Sequence, residues 1–166
     1  MKQILTKKFI MANKGCYTRK QVDTLFPTDT TLTELLNLDF PLKDKFWFVI
    51  IKLATPQEQK QIAVGAANIV WPIFEAVFPN HRIQRDNITS LNEYYKLIGE
   101  GNDWEGKKAA YYAICASYFA YSNCDIIINK ANFAASFCVN AANRSKNLEY
   151  ETKLLDFLKD FCLNSK

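Results

Sequence analysis

TPQEQKQIAVGAANIVWPIFEAVFPN, residues 55–80, reads as one long helix with both ends marked. Thr55 offers a hydroxyl to a free backbone N–H, Pro56 occupies the first turn where its missing N–H costs nothing, and Glu58 stands where its carboxylate reaches back to the cap. Between the ends, Ile62, Ala63, Ala66, Ala67, Ile69, Val70, Ile73, Phe74 and Val77 fall on one broad apolar face. Pro72 lies inside the helix and removes one backbone hydrogen bond, which predicts a kink near Asn68. Phe78-Pro79-Asn80 ends it. So broad an apolar face must be buried against other elements, and the flanking sequence supplies more helices.

Upstream, Pro41 opens LKDKFWFVIIKL, residues 42–53. Its aromatic and β-branched content suits a strand, but its length and helical flanks favour a buried helix. Thr31-x-x-Glu34 is a capping box ahead of Leu32, Leu35, Leu36 and Leu38. Thr18 caps a short helix, Arg19 to Leu25, ended by Pro27. Residues 2–12 read as an amphipathic helix stopped by Asn13 and Gly15. Downstream, the pattern predicts a helix over about 83–98, a loop at 99–102, and helices capped by Asp103 and Asp125 that run to about Ser122 and Arg144. A last helix covers about 147–163. No strand is predicted, and the short loops favour antiparallel neighbours.

The stretches AAYYAICASYFAYS and KANFAASFCVNAANRS set small residues beside aromatics at three- and four-residue spacing. Alanine faces let helix backbones approach closely while aromatics fill the gaps. Two such arms are too few for a solenoid. The expectation is an all-α domain, 1–166, of about seven to nine helices with alanine-rich, closely packed C-terminal helices.

A chain of 166 residues suits one domain, and a hydrophobic share of 49% argues against disorder. The net charge is +4, with 21 basic and 17 acidic residues interspersed and no basic run longer than two, so the usual footprint of nucleic-acid binding is missing. Nothing approaches the roughly 20 apolar residues of a membrane span, and the N-terminus lacks a signal peptide's apolar core. The five cysteines, Cys16, Cys115, Cys124, Cys138 and Cys162, form no C-x-x-C pair and read as small core residues of a reducing cytoplasm.

Catalytic signals are sparse. His81 is the single histidine and reads as a solvated turn residue. There is no nucleophile elbow, no carboxylate set with metal-ligand spacing, and no phosphate loop; Gly99-x-Gly101 reads as a turn. Neither a cofactor nor a metal is expected. An enzyme built on carboxylates such as Glu75 and Asp86 would need them to converge in one pocket.

Two clusters invite a binding role. In the first, Asp44, Lys45 and Trp47 combine charge and an aromatic ring at a helix start; the alternative is a capped helix start with Trp47 in the core. In the second, His81, Arg82 and Arg85 precede Tyr94 and Tyr95, where two arginines could clamp a phosphate or carboxylate; the alternative is a solvated, salt-bridged helix start. Eight tyrosines are more than a core absorbs without hydroxyl partners, so some are expected at a pocket or interface.

Several stretches together resemble a family of bacterial and phage immunity proteins with an Imm5-like helical domain. They are Lys14-Gly15-Cys16-Tyr17-Thr18 with Val22, Thr31-Leu32-x-Glu34-Leu35-Leu36, Leu42-Lys43-Asp44-Lys45-Phe46-Trp47, Val70-Trp71-Pro72-Ile73-Phe74-Glu75 with Phe78-Pro79-Asn80, and Arg85 with Ile88. The alanine-rich residues 109–142 follow, as in that family, and the resemblance covers about 14–142. This chain departs from it at Ile83 and Gln84, where relatives often carry Arg-Pro, and in the alanine-rich helices, where tyrosine and phenylalanine replace arginines. The resemblance implies a non-enzymatic immunity protein that neutralises a bacterial toxin or effector in the cytoplasm. The alternative is a phage counter-defence protein that sequesters a nucleotide signal, with arginine on phosphate and aromatics on the base. A homo-oligomer is compatible with either.

Overall fold

Threonine caps four of the helix starts, at Thr6, Thr18, Thr31 and Thr55. The computed structural model describes residues 4–13, 15, 17–88, 90–91, 104–121 and 127–164. Its helices are α1 (Lys7–Ala12), α2 (Arg19–Leu25), α3 (Leu32–Asn37), α4 (Leu42–Phe48), α5 (Pro56–Val77), α6 (Trp104–Tyr121), α7 (Ile127–Arg144) and α8 (Leu148–Asn164). Thr18, Thr31 and Thr55 each accept from the N–H three residues on, while Gln21, Glu34 and Glu58 accept the cap N–H in return. The returning bonds are short, 2.7 Å from the Thr31 and Thr55 nitrogens. They hold the Glu34 and Glu58 carboxyls below the usual range, because a donated N–H favours the charged form.

The fold is all-α, and the described residues add one small ladder. Ile4–Leu5 (β1) pairs antiparallel with Thr30–Thr31 (β2), Ile4 opposite Thr31 and Leu5 opposite Thr30. This corrects the helix expected over 2–12, whose described part begins only at Lys7. Thr6 is the cap, with its hydroxyl on the Phe9 N–H, and the Lys7 N–H goes to Asp29 Oδ1 at 2.7 Å. That arrangement leaves Leu5 extended and buried.

The segment 41–53 is helical, as its length predicts, but widens after Phe48 into a π-helical turn, Val49–Leu53, closed by the Ala54 N–H on Val49 O at 2.8 Å. Gln59, one turn into α5, is buried and donates Nε2 to Ile50 O at 2.9 Å and Ala54 O at 3.1 Å. A single amide thereby satisfies carbonyls at the end of the π turn and ties it to α5.

The core is a stack of α5, α6 and α7, the most extensively packed helices. Ala63, Ala66 and Ala67 of α5, Ala109, Ala110, Ala113 and Ala116 of α6, and Ala134, Ala135, Ala141 and Ala142 of α7 are all buried. Small side chains on facing helices allow this close approach. α5 runs as one helix through Pro72. α8 lies against α5, α7 and α3 and buries Leu154, Leu158 and Cys162. Gly65 of α5 leaves space for the Phe157 ring, since a Cβ there would stand 2.2 Å from Phe157 Cζ.

A second correction concerns 83–98. Its described part, 83–88 and 90–91, is not helical. After the His81 N–H bonds Phe78 O, a single turn closes at Asn87 N–H to Gln84 O, and Ile88 is buried as an anchor. Burying Ile88 while turning Arg85 towards Tyr121 on α6 suits a loop over these described residues. The remainder of that helix, the 99–102 loop and the Asp103 and Asp125 caps lie outside the described residues. Among the described residues, no helix is long and apolar enough to cross a membrane.

Cys115, Cys138 and Cys162 are free and buried; Cys16 and Cys124 lie outside the described residues. Burial pushes the thiol of Cys115 up to about 11 and that of Cys162 up to about 12, and raises Cys138 as well.

Candidate functional site

The structure separates the two clusters picked out from the sequence. On α4, Asp44 Oδ2 accepts the Tyr17 hydroxyl at 2.6 Å, and Tyr17 meets Phe40 edge-on. Lys45 is 6% exposed; its Nζ donates to Leu36 O at 2.9 Å and sits 5.2 Å from the Phe40 ring centre. Burial holds the Lys45 ammonium below its usual range, with Lys159 adding to the effect and Asp39 opposing it. Trp47 packs over Gly15, where a Cβ would come within 2.9 Å of Cη2, and the Lys52 ammonium lies 5.4 Å from the Trp47 ring. Gly15 is further required by its φ of 60°. Asp44, Lys45 and Trp47 thus tie Gly15 and Tyr17, between α1 and α2, and the end of α3 to α4. Tyr17, Asp44 and Trp47 also line a cavity of only about 40 Å³.

The second cluster is oriented differently. Arg85 is half-buried with its guanidinium 6.0 Å from the Tyr121 ring, at the end of α6. The Tyr121 hydroxyl donates to Asn68 Oδ1 on α5 at 2.8 Å. The Arg85 Nε is buried without a hydrogen-bond partner, an arrangement that costs free energy unless an acceptor arrives. Arg82 and His81 are exposed, and His81 meets Phe74 edge-on. Tyr94 and Tyr95 lie outside the described residues. Among the described residues the aromatic partner of Arg85 is Tyr121, and sequence spacing points to neither Tyr121 nor Asn68 for this role. Glu75 is exposed and accepts the Trp71 indole N–H at 2.9 Å, while Asp86 is exposed in the turn.

A third feature escaped the sequence reading. Between α5 and α8 runs an open groove of about 780 Å³. Its floor is Ile69, Phe157 and Phe161, and its rim carries Glu58, Asp156, Asp160 and Lys153. The Lys153 ammonium bonds the Glu149 carboxylate at 2.6 Å. The readable signal was the repeat Asp156-Phe157 and Asp160-Phe161, which places two acid–aromatic pairs one helical turn apart.

Part of the aromatic content gathers on α6 and α7. On the α6–α7 hairpin, Phe119 stacks on Phe137 at 5.6 Å and 3°, Tyr112 and Phe133 flank them, and Phe133 is 51% exposed. The Arg144 guanidinium sits 5.7 Å from the Tyr112 ring and bonds Glu105 at 2.7 Å. Among the described residues, no group of three or more His, Cys, Asp or Glu side chains is placed to hold a metal ion.

No protein-family model, no characterised protein sequence and no solved structure matches the chain.

Proposed function

We propose that this chain is a non-enzymatic binding protein of the immunity or inhibitor type, which neutralises a bacterial toxin or effector in the cytoplasm by covering part of its surface. The observation that carries the reading is the groove between α5 and α8, about 780 Å³ with an aromatic floor and a charged rim. An open groove of this kind suits a protruding segment of another protein; a small molecule is usually enclosed over most of its surface. The resemblance of residues 14–142 to immunity proteins supports the same reading. A toxin gene immediately upstream is the expected genetic context. The test is native mass spectrometry of protein purified from its host, with co-expression of the upstream product in a growth assay. A stoichiometric complex and rescued growth support the reading; a partner-free protein that gives no rescue refutes it.

A second reading, sequestration of a nucleotide signal, draws on Arg85. An unpaired buried Nε beside a tyrosine ring suits an anion carried on an aromatic base. Here the same mass spectrum contains a retained ligand of nucleotide mass. Arg85→Ala loses it while the protein stays folded, and unchanged retention removes the assignment.

A further inference from the structure

We infer that the α5–α8 groove receives a basic amphipathic helix presented by a partner protein. The inference rests on the binding-protein reading above and specifies the partner's chemistry.

The argument begins with shape. From Glu58 to Ile69 on α5, and from Lys153 to Asn164 on α8, the walls each run about 16 Å at the rise of an α-helix, or roughly three turns. Phe157 and Phe161 stand one turn apart along the floor, a spacing that matches apolar anchors at i and i+4 of an incoming helix.

Charge then selects the occupant. The chain as a whole is net positive, +4, yet Glu58, Asp156 and Asp160 meet at this rim. Among the described residues that line the groove the one ammonium is Lys153, and it is engaged by Glu149 at 2.6 Å. Asp156 and Asp160 are both exposed, so their carboxylates are available to an approaching cation. They follow the same one-turn spacing as the aromatics. Lysine or arginine flanking an apolar stripe at i and i+4 therefore meets a carboxylate at each step, whereas an acidic helix meets like charge. The same local field steers a basic segment towards the groove at low salt.

The experiment uses the full chain and a fluorescein-labelled amphipathic Leu/Lys helical peptide, with its Leu/Glu twin as comparison, read by fluorescence anisotropy. The Leu/Lys peptide binds, the twin does not, and added salt weakens the complex. The double variant Asp156→Lys, Asp160→Lys weakens binding at least about tenfold, equivalent to about 1.4 kcal/mol. Asp86→Lys, which makes a single charge reversal in the turn after α5, leaves it within about twofold. Both altered aspartates are exposed, so the variant is expected to fold, and circular dichroism checks that. Phe161→Ala probes the floor and weakens binding as well. Equal affinity for both peptides, or no response to the double charge reversal, overturns the inference. A wild-type dimer in sedimentation that the double variant dissociates also overturns it, because the groove is then taken by a second copy. If the charge reversals abolish peptide binding but growth rescue fails, the functional proposal falls and the groove assignment stands. If rescue succeeds and is indifferent to them, the reverse holds.

Discussion

Gly65→Ala is the substitution whose effect follows most directly from the packing. Gly65 lies mid-helix in α5 without a left-handed φ, so alanine there gains about 1 kcal/mol of helix propensity if nothing else intervenes. Phe157 intervenes. The new Cβ would stand 2.2 Å from Cζ, 2.5 Å from Cε2 and 3.1 Å from Cε1 of that ring. Ordinary carbon contacts are about 3.5–4.0 Å, so the ring must retreat by roughly 1.5 Å into the groove. Overpacking of this kind costs about 1–3 kcal/mol, which outweighs the propensity gain at all but its lower limit. In a Phe157→Ala background the obstacle is gone and only the gain remains. The sign of Gly65→Ala therefore reverses: destabilising by about 1 kcal/mol in wild type, stabilising by about 0.5–1 kcal/mol beside Ala at 157, a coupling near 2 kcal/mol. Urea unfolding followed by tryptophan fluorescence measures all four corners of the cycle. If Gly65→Ala raises the midpoint equally in both backgrounds, the ring does not occupy this space and the floor of the groove is misassigned. Because the displaced ring moves into the groove, the same variant is expected to weaken binding of the Leu/Lys peptide.

Four further outcomes follow from other contacts. Thr55→Ala removes the cap of α5 and costs about 1 kcal/mol in urea unfolding. The folded state holds the Glu58 carboxyl below its usual 4.5, so its contribution is present above that pH and is lost as the pH falls through the folded value; the stability gap between wild type and Glu58→Gln should narrow in acid titration followed by circular dichroism. Lys45 behaves in the opposite sense to a salt-bridged lysine. Burial lowers its folded pKa below 10.5, the penalty is present in full at lower pH, and wild type should gain stability relative to Lys45→Met as the pH rises towards 10.5. Finally, Cys115, Cys138 and Cys162 should resist a thiol-specific disulfide reagent in the native protein and react in guanidinium, as peptide mapping will show.

The helices were legible where the signal is local. Thr18, Thr31 and Thr55 each carry their cap and reciprocal partner within four residues, and the alanine stripes of α6 and α7 repeat at helical spacing. Features set by distant residues were not legible. Leu5 is extended because Thr30 and Thr31 pair with its strand, and the end of the π turn after Phe48 is satisfied by Gln59. The strand partner lies beyond the window over which periodicity speaks, and Gln59 acts through a side-chain bond that periodicity does not report. The same division holds for function. Arg85 could be chosen from sequence as an arginine in search of an anion, but which tyrosine it meets depends on where α6 ends. Lys45 looked like part of a charged patch, and its burial is set by Leu36 and Phe40.

Both candidate surfaces depend on one turn of α5. Gly65 and Ile69 contribute to the groove, and Asn68 holds the Tyr121 hydroxyl beneath Arg85. Adjacent helix positions differ by about 100° in direction, so Asn68 and Ile69 serve neighbouring sides of the same turn. A substitution in this turn therefore disturbs both surfaces, and loss of binding there would not say which one a ligand uses. The opposite walls separate them, because their charges are opposite. Asp156 and Asp160 on α8 favour cations, and Arg85, with Arg82 exposed beside it, favours anions. Charge reversal on α8 and neutralisation of Arg85 accordingly act on ligands of contrary sign. A partner touching both surfaces must present basic and acidic groups in that order across α5, a stricter requirement than either surface imposes alone.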